Sequence, residues 1–500
     1  MFRKGSIIQG FLIVAFLVQS PLVKAGKLEK AFEALNVYNY FEAKALFEKA
    51  LKSEITGASY GLSLIYSNNK NPFFQLDSSR KYILQAESGI PGESEKDLLF
   101  LNTLGVNETS ILKQKNHVAE LAFLAAKDTM KLESLNHFIA HYNFSVRHPQ
   151  AIELRDSLAF HHASLEDDFE SYFGFMSEYP NSSFYSRAKD LYEIRLYQQK
   201  TKGASLSEYE SFIRSYGDNP YVSQAMDSIY SLFITEISVE NYYAFIKNYP
   251  GNKNVSQAWR TLYKLYNRED SKERIVEFQI DFPDYPFTDE VMVDYELSGM
   301  RYLPFKEGDF WGFINDKGMQ MISPVYDWVE NFQEGLAMVG KDFKVGFINK
   351  AGRLVIPLVY HEAEMFHNGF AIVSKNDKYG LINKANLVEI PLVYDEMNEF
   401  SQGLSSVKRG DKYSYIDLKG RSVIETPYDF AGDFEHGFAY VELDGKRGII
   451  DLKGRTVVPI EYDWLENFTD GLARVRIDEK FGLYNNMGTL ILPVEYDHIG

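Results

Sequence analysis

The stretch "GLAMVGKDFKVGFINKAGRLVIPLVYHEAEMF", Gly335 to Phe366, is one copy of a repeat whose reading decides the fold of the carboxy-terminal part of this chain. Short runs of Leu, Val, Ile and Phe are separated by Gly, Asn, Asp and Lys. That punctuation suits strands of about four to six residues better than helices of about ten or more. Working outward, Gly312, Gly346, Gly380, Gly448 and Gly482 stand 34 residues, or a multiple of 34, apart, with Ser414 filling the missing place. Tyr326, Tyr360, Tyr394, Tyr428, Tyr462 and Tyr496 keep the same step, as do Gly335, Gly369, Gly403, Gly437 and Gly471. Three landmarks in one register mark an array of supersecondary units, each burying its apolar face against its neighbours.

Turn chemistry divides each unit. Asp444-Gly445, between "FAYVEL" and "KRGIID", supplies the positive φ angles of a type I′ hairpin. A second turn recurs as "NDKG", "NKAG" and twice "DLKG", ending at Gly318, Gly352, Gly420 and Gly454. Each unit is therefore expected to be a three-stranded meander closed by a loop through Pro and Tyr. Pro357, Pro391, Pro459 and Pro493 precede the Tyr by three residues, with Pro324 and Pro427 closer to it, and are expected to mark a strand's end. The next position is Asp327, Asp395, Asp429, Asp463 or Asp497, with His361 in the second unit. These acids read as turn-forming and capping carboxylates, calcium being the alternative that lacks a dense oxygen-ligand loop. A Phe five residues on, as at Phe332 and Phe468, is expected to anchor the loop to the core.

The unit "DFWGFINDKGMQMISPVYDWVENFQEGLAMV", Asp309 to Val339, resembles the WG repeat found in tandem in bacterial proteins, named for the dipeptide at Trp311-Gly312. The resemblance covers roughly the last two-fifths of the chain. Only the first unit keeps the Trp; Val345, Tyr379, Tyr413, Arg447 and Phe481 replace it elsewhere. It implies a β-rich interaction array, with no common catalytic role to carry over.

The amino-terminal residues 1–25 read as an export signal. Arg3 and Lys4 precede an apolar run from Ile7 to Val18, and Val23-Lys24-Ala25 offers a cleavage site after Ala25. The run is short of the roughly 20 residues of a membrane span; a retained anchor is the alternative. No Cys follows it, which excludes a lipid-modified terminus, and no later segment is apolar enough to span a bilayer. The mature protein is thus expected outside the cytoplasm, periplasmic or extracellular, with outer-membrane association a further option. A net charge of −17 over 500 residues argues against nucleic acid and anionic lipid as partners. With no cysteine there is neither a disulfide framework nor a thiolate metal site. Stability must come from buried apolar area, for which 45% hydrophobic content over this length suffices for two cores.

From Lys27 to about Ser88 the pattern is helical. Ala31, Leu35, Tyr38, Ala43, Phe47, Ala50 and Leu51 form the stripes of two amphipathic helices joined near Tyr38 to Tyr40, a pair that resembles a tetratricopeptide repeat. "GASYGLSLIYS" is expected to open the next pair. Residues 26–131 are assigned to this region, although Gly89 to Lys131 shows no clear register. Across residues 132–300 a second grid runs through Phe138, Phe175, Phe212, Phe245 and Phe278, at steps of 37, 37, 33 and 33. Tyr142, Tyr179, Tyr216, Tyr249 or Phe282 follows by four, and Ala151, Ala188, Ala225 or Ala258 by thirteen. A Phe and a Tyr four apart share one helix face, so these residues are expected in the core. Pro283, Pro286 and Pro304 bracket a last short helix before residues 301–500, six WG-type units with the last incomplete. Because an array ending inside a unit leaves an unpaired edge, the natural chain is expected to continue past Gly500.

No catalytic constellation stands out: the zinc-protease, nucleophile-elbow, phosphate-loop and dinucleotide motifs are absent from the sequence. His161 and His162 point about 100° apart on a helix and cannot chelate together. His137 and His141 share a face, yet a zinc site needs a third ligand, so they read as an ordinary helix face. The sequons at Asn107, Asn143, Asn181, Asn254 and Asn467 matter only in a eukaryotic secretory pathway. Asp156-Ser157-Leu158 and Asp227-Ser228-Ile229 resemble a bacterial O-glycosylation acceptor, with a plain helix face as the competing reading. No catalytic, cofactor-binding or metal-ligating residue is nominated, and no cofactor.

The expected architecture is multidomain: an all-α solenoid of tetratricopeptide-like pairs, then an all-β array of three-stranded meanders, propeller-like or an open solenoid. The expected function is non-catalytic binding or scaffolding in the bacterial cell envelope, with a protein partner. Glycan or peptidoglycan recognition by the β array is the alternative, and an enzyme with its catalytic part outside this chain the distant third.

Overall fold

The recurrent Phe and Tyr of the helical half end the first helix of each pair. In a computed structural model, which describes residues 26–269 and 271–500, Tyr142, Tyr179, Tyr216, Tyr249 and Phe282 are the C-cap residues of five successive helices. Each donates its N–H to the carbonyl of the Phe four residues earlier, at 2.8–2.9 Å. Asp168, Ser205, Ser238 and Ser271 cap the other ends of four of these helices by accepting from the N–H three residues on. A third device opens the second helix of each pair. Ser145, Ser182, Asn219 and Asn252 accept from the N–H two residues later, forming the tight turn between helices. Ala151, Ala188, Ala225 and Ala258 are fully buried where the paired helices approach.

The described residues hold sixteen α-helices and 23 strands. The chain divides between Lys202 and Gly203 into two compact units, a different cut from the change of secondary structure near residue 300. In the first unit the hairpin Lys27–Asn36 with Tyr40–Ala50 is followed by Ile55–Ser67 with Leu76–Gly89, as the stripes predict. The stretch without register contains Glu95–Thr103 and the 22-residue helix Glu108–Thr129, then Leu132–His141 with His148–Glu166 and Phe169–Glu178 with Tyr185–Lys200 follow. In the second unit three helical pairs, Leu206–Ser215 with Val222–Phe233, Val239–Asn248 with Val255–Tyr266, and Lys272–Asp281 with Thr288–Ser298, lead directly into the β array. The expected export signal, residues 1–25, lies outside the described residues.

Six antiparallel sheets follow in chain order. The first has three strands; the others have four, and here the three-stranded expectation is corrected. After each of the first five landmark tyrosines the chain makes a two-residue strand, such as Trp328–Val329, that pairs with the next sheet, Trp328 opposite Gly340 and Val329 opposite Val339. Each unit thereby lends its end to its successor. The first sheet follows a helix and receives no such strand. Pro357 is also not at a strand's end: it sits mid-strand in Leu354–Tyr360. That strand is the outer one of its sheet, and its pairing slips between Val345/Phe347 and Phe347/Ile348. An edge strand at a bulge tolerates the missing N–H.

The bulge explains the first Gly landmark. A Cβ on Gly346 would lie 2.6 Å from the Ile356 carbonyl oxygen and 2.9 Å from the Pro357 carbonyl carbon; Gly312, Gly380 and Gly448 meet the bulged strand in the same way. The Gly335 series has another cause. Glu334-Gly335, Asn368-Gly369, Gln402-Gly403, His436-Gly437 and Asp470-Gly471 all have positive φ at both residues, the demand of a two-residue type I′ turn. Asp444-Gly445 meets the same demand, as expected.

Cores lie between sheets. Tyr302, Phe313, Ile322 and Tyr326 of the first sheet pack on Ala337, Val339 and Ile348 of the second, and this pattern recurs to the sixth, where Tyr462 packs on Ala473, Val475 and Tyr484. Phe332, Phe366, Phe400, Phe434 and Phe468 plug the intervening loops against these cores. Sheets pack on their neighbours in order, and among the described residues no such packing joins the first to the sixth. The array is open.

Candidate functional site

Most residues singled out by the sequence turn out to hold the fold together. Asp395 accepts from the Gly410 N–H at the tip of the next sheet's hairpin and from Lys378 of its own sheet, at 2.8 and 2.5 Å. Asp429 does the same with Asp444 N–H and Lys412, and Asp463 with Asp478 N–H and Lys446. His361 keeps the first half of this clamp, its Nδ1 lying 3.2 Å from the Asn376 nitrogen. The Lys446 ammonium and the Asp478 N–H hold the Asp463 carboxyl below the usual range. These acids are inter-sheet clamps, which fits the capping reading. His137 and His141 stack at 4.3 Å, with His137 Nε2 3.4 Å from Asp77. No group of three or more His, Cys, Asp or Glu among the described residues is placed to hold a metal ion. Asp156 of the first serine triplet is buried against Arg155, and Asp227 of the second is held by Lys253 and Asn254.

A row of acids on the array departs from this economy. Half-buried Glu364 is pushed up to about 7, first by burial and then by the charges of Glu399 and Asp433, with His367 pulling the other way. Burial also raises Asp433. The folded state therefore binds a proton that an unfolded Glu, near 4.5, has released. Its contribution is full below about pH 4.5 and is lost as pH rises through 7. The displacement is equivalent to about 3 kcal/mol at most, so Glu364→Gln is expected to raise stability by about 1–2 kcal/mol at about pH 8 and to leave it nearly unchanged at about pH 4. Urea titrations of both proteins at the two pH values check this.

The site with the most varied chemistry is a cleft of about 300 Å³ within the second unit, between the helices Val255–Tyr266 and Thr288–Ser298 and the second and third sheets. Apolar lining comes from Leu297, Leu336, Leu354 and Val355, with Tyr263 and Tyr285. Its carboxylates are already engaged. Glu290 takes two guanidinium nitrogens of Arg260 at 2.8–3.2 Å, which holds it below the usual range. Glu334 accepts from Asn368 N–H and Gly369 N–H and lies 3.5 Å from Lys384. Asp294, raised by burial, accepts from Tyr263 Oη at 3.1 Å. Lys350 donates to the Ser298 carbonyl at 2.7 Å.

Four lining groups are not so engaged. Lys264 is half-buried, its pKa lowered first by burial and then by Arg260, and among the described residues it forms neither a hydrogen bond nor an ion pair. The side chain of Arg353 likewise has no such partner among the described residues. Tyr285 Oη and Asn267 Oδ1 are buried without a hydrogen-bond partner. Each orphan costs on the order of 1–3 kcal/mol, so such groups are few in folded proteins.

Sequence reading missed these residues, yet three of them are departures from the repeats. Tyr285 stands 33 residues after Asn252, where Ser145, Ser182, Asn219 and Asn252 make the inter-helix turn. Asn267 lies nine residues after Ala258, where the other pairs carry apolar Phe160, Tyr197 and Ile234. Arg353 is on the 34-residue grid with Arg421 and Arg455, which pair with Asp417 and Asp451 four residues earlier at 2.6 Å. Its own counterpart is the neutral Asn349, so the repeat's internal ion pair cannot form.

The segments 311–342, 346–379, 379–413, 413–446 and 448–481 match the family of WG containing repeats. Residues 311–481 are WG repeats. With the helical pairs before them, the WG repeats make this a repeat-based binding protein in architecture. None of the curated proteins matches the chain. Among solved structures, the dihydro-heme d1 dehydrogenase NirN in complex with DHE is similar over 39% of this chain and 53% of its own, with 11% identity and a TM-score of 0.23. The crystal structure of Raptor from Chaetomium thermophilum is similar over 96% of this chain and 64% of its own, with 10% identity and a TM-score of 0.20. The chain thus spans about half of the first and under two thirds of the second. Superpositions this loose fix neither fold nor function.

Proposed function

We propose that this is a non-catalytic binding or scaffolding protein of the bacterial cell envelope, exported by its amino-terminal signal, that holds a protein partner through its helical and WG repeats. The observation that carries the reading is the cleft, where an otherwise acidic chain gathers Lys264 and Arg353, neither in a direct ion pair among the described residues, beside an apolar wall. Small-molecule and peptide sites have this composition, an apolar lining with a few placed polar groups. A photo-crosslinking residue at Leu354, on the rim, is expected to capture a defined envelope protein in cells, whereas one at Met487, exposed on the sixth sheet, is not. Equal labelling at both positions, or none at Leu354, overturns the reading.

Glycan recognition by the WG array is the second reading, favoured by the aromatic faces left within reach of solvent at Trp328 and Phe430, 38% and 37% exposed. Co-sedimentation with purified peptidoglycan, lost on Trp328→Ala, would establish it in place of the first.

A further inference from the structure

We propose that the cleft binds a carboxylate that carries an apolar side chain beside it, either the carboxy-terminal end of a polypeptide or a small free acid of the same chemistry. The inference rests on the reading just given and names the ligand of that site.

Charge comes first. Of the charged groups lining the cleft, Glu290, Glu334 and Asp294 are already bonded within the protein, as are Arg260, Lys350 and Lys384. Lys264 and Arg353 make no direct ion pair among the described residues. They feel the charges of Glu290 and Asp294 across the cleft, yet the five cations of the lining outnumber its three carboxylates, an excess of positive charge in a chain of net −17. A half-buried ammonium is costly unless an anion joins it. A planar guanidinium at the rim offers the fork that a carboxylate fits. Tyr285 Oη and Asn267 Oδ1, of two lining residues, are buried without a hydrogen-bond partner, so polar capacity at this junction is left unused. Leu297, Leu336, Leu354 and Val355 provide the wall for the adjoining side chain.

Size sets the class. A space of about 300 Å³ is at the lower bound of ligand sites, and takes the end of a chain or a small acid rather than a folded surface. The pattern of departures supports a built site. The helical pairs place a turn-forming Ser or Asn and an apolar residue at two positions, and Arg421 and Arg455 of the sheets are each paired with an Asp at the third. At this one junction all three change, to Tyr285, Asn267 and an Arg353 without its acid. Tyr285, Asn267 and Arg353 all line the one cleft.

The test uses the full mature chain and fluorescence anisotropy with a labelled hexa-alanine-type peptide ending in Leu, as free acid and as amide, together with competition by N-acetyl-leucine. The free acid is expected to bind and the amide to bind about tenfold or more weakly, with affinity falling as salt rises. Lys264→Met and Arg353→Gln are each expected to weaken the free acid by about tenfold, and Arg353→Lys by less. Arg421→Gln, a change at the same repeat position away from the cleft, is expected to leave binding intact and reports on general loosening of the array. If N-acetyl-leucine competes as strongly as the peptide, the small acid is the ligand form; if it competes weakly, the chain end is. Equal binding of acid and amide, unchanged binding by both cleft variants, or no binding of either peptide at millimolar concentration overturns the proposal. Failure here together with successful crosslinking at Leu354 would sink the carboxylate assignment alone and leave the envelope-protein reading standing.

Discussion

Gly346→Ala is expected to destabilise the WG array by about 2–3 kcal/mol, an effect of the size seen when a well-packed interior is overfilled. The added methyl would sit 2.6 Å from the Ile356 carbonyl oxygen and 2.9 Å from the Pro357 carbonyl carbon, both backbone atoms that no rotamer change can move aside. Relief requires the bulged outer strand to lift from the central one, which breaks the pairing of Phe347 with Ile356. Phe347 is fully buried, so the lift would also open the core behind it. The fourth unit supplies the control. Ser414 occupies the same grid position and already carries a Cβ, so Ser414→Gly should change stability by less than about 1 kcal/mol, the ordinary cost of Gly in a strand. Thermal and urea unfolding of the two variants beside the parent decide the matter. Equal effects at both positions would remove the bulge as the reason for the landmark.

How much of this was legible in the sequence follows from how each element announces itself. The 34-residue register, the Asp444-Gly445 turn and the Phe plugs were readable because each shows itself by residue type and spacing, whereas the I′ turns of the Gly335 series, with a different residue before each Gly, were seen only as a landmark. The two-residue strands such as Trp328–Val329 were not: two residues carry no alternation, and their pairing is set by the next unit. Pro357 was read as a strand end because proline cannot donate to a ladder, but an outer strand does not ask it to. The helix Glu108–Thr129 had its signals in view, with Asn107 and Ser110 forming a reciprocal cap and Ile111, Val118, Ala122 and Ala126 on one stripe. It lacks the Phe–Tyr–Ala landmarks by which the neighbouring pairs were found. The cleft was hidden for a different reason. Asn267, Tyr285 and Arg353 are unremarkable residues that mean something only against the repeats they break. Two of the devices they replace, the Ser or Asn turn between helices and the Asp–Arg pair of the sheets, were visible only once hydrogen bonds could be followed.

Phe347→Ala tests the claim that each core belongs to a pair of sheets. The ring is fully buried and meets Phe366 edge to face at 4.9 Å, among Ile356 and Tyr360 of the second sheet and Ala371, Val373 and Ile382 of the third. Truncating such a side chain costs about 3–5 kcal/mol. Four residues earlier on the same hairpin Phe343 is 98% exposed, and Phe343→Ala should cost nothing comparable. Because sheets pack only on their neighbours, the loss at Phe347 should stay local. Amide exchange is then expected to quicken in Leu336–Lys341, Lys344–Asn349 and Phe370–Lys375, while Leu472–Ile477 of the sixth sheet keeps its protection. Uniform loss across all six sheets would mean that the array melts as one cooperative body, and that the stacking of separate cores is not what sets its stability.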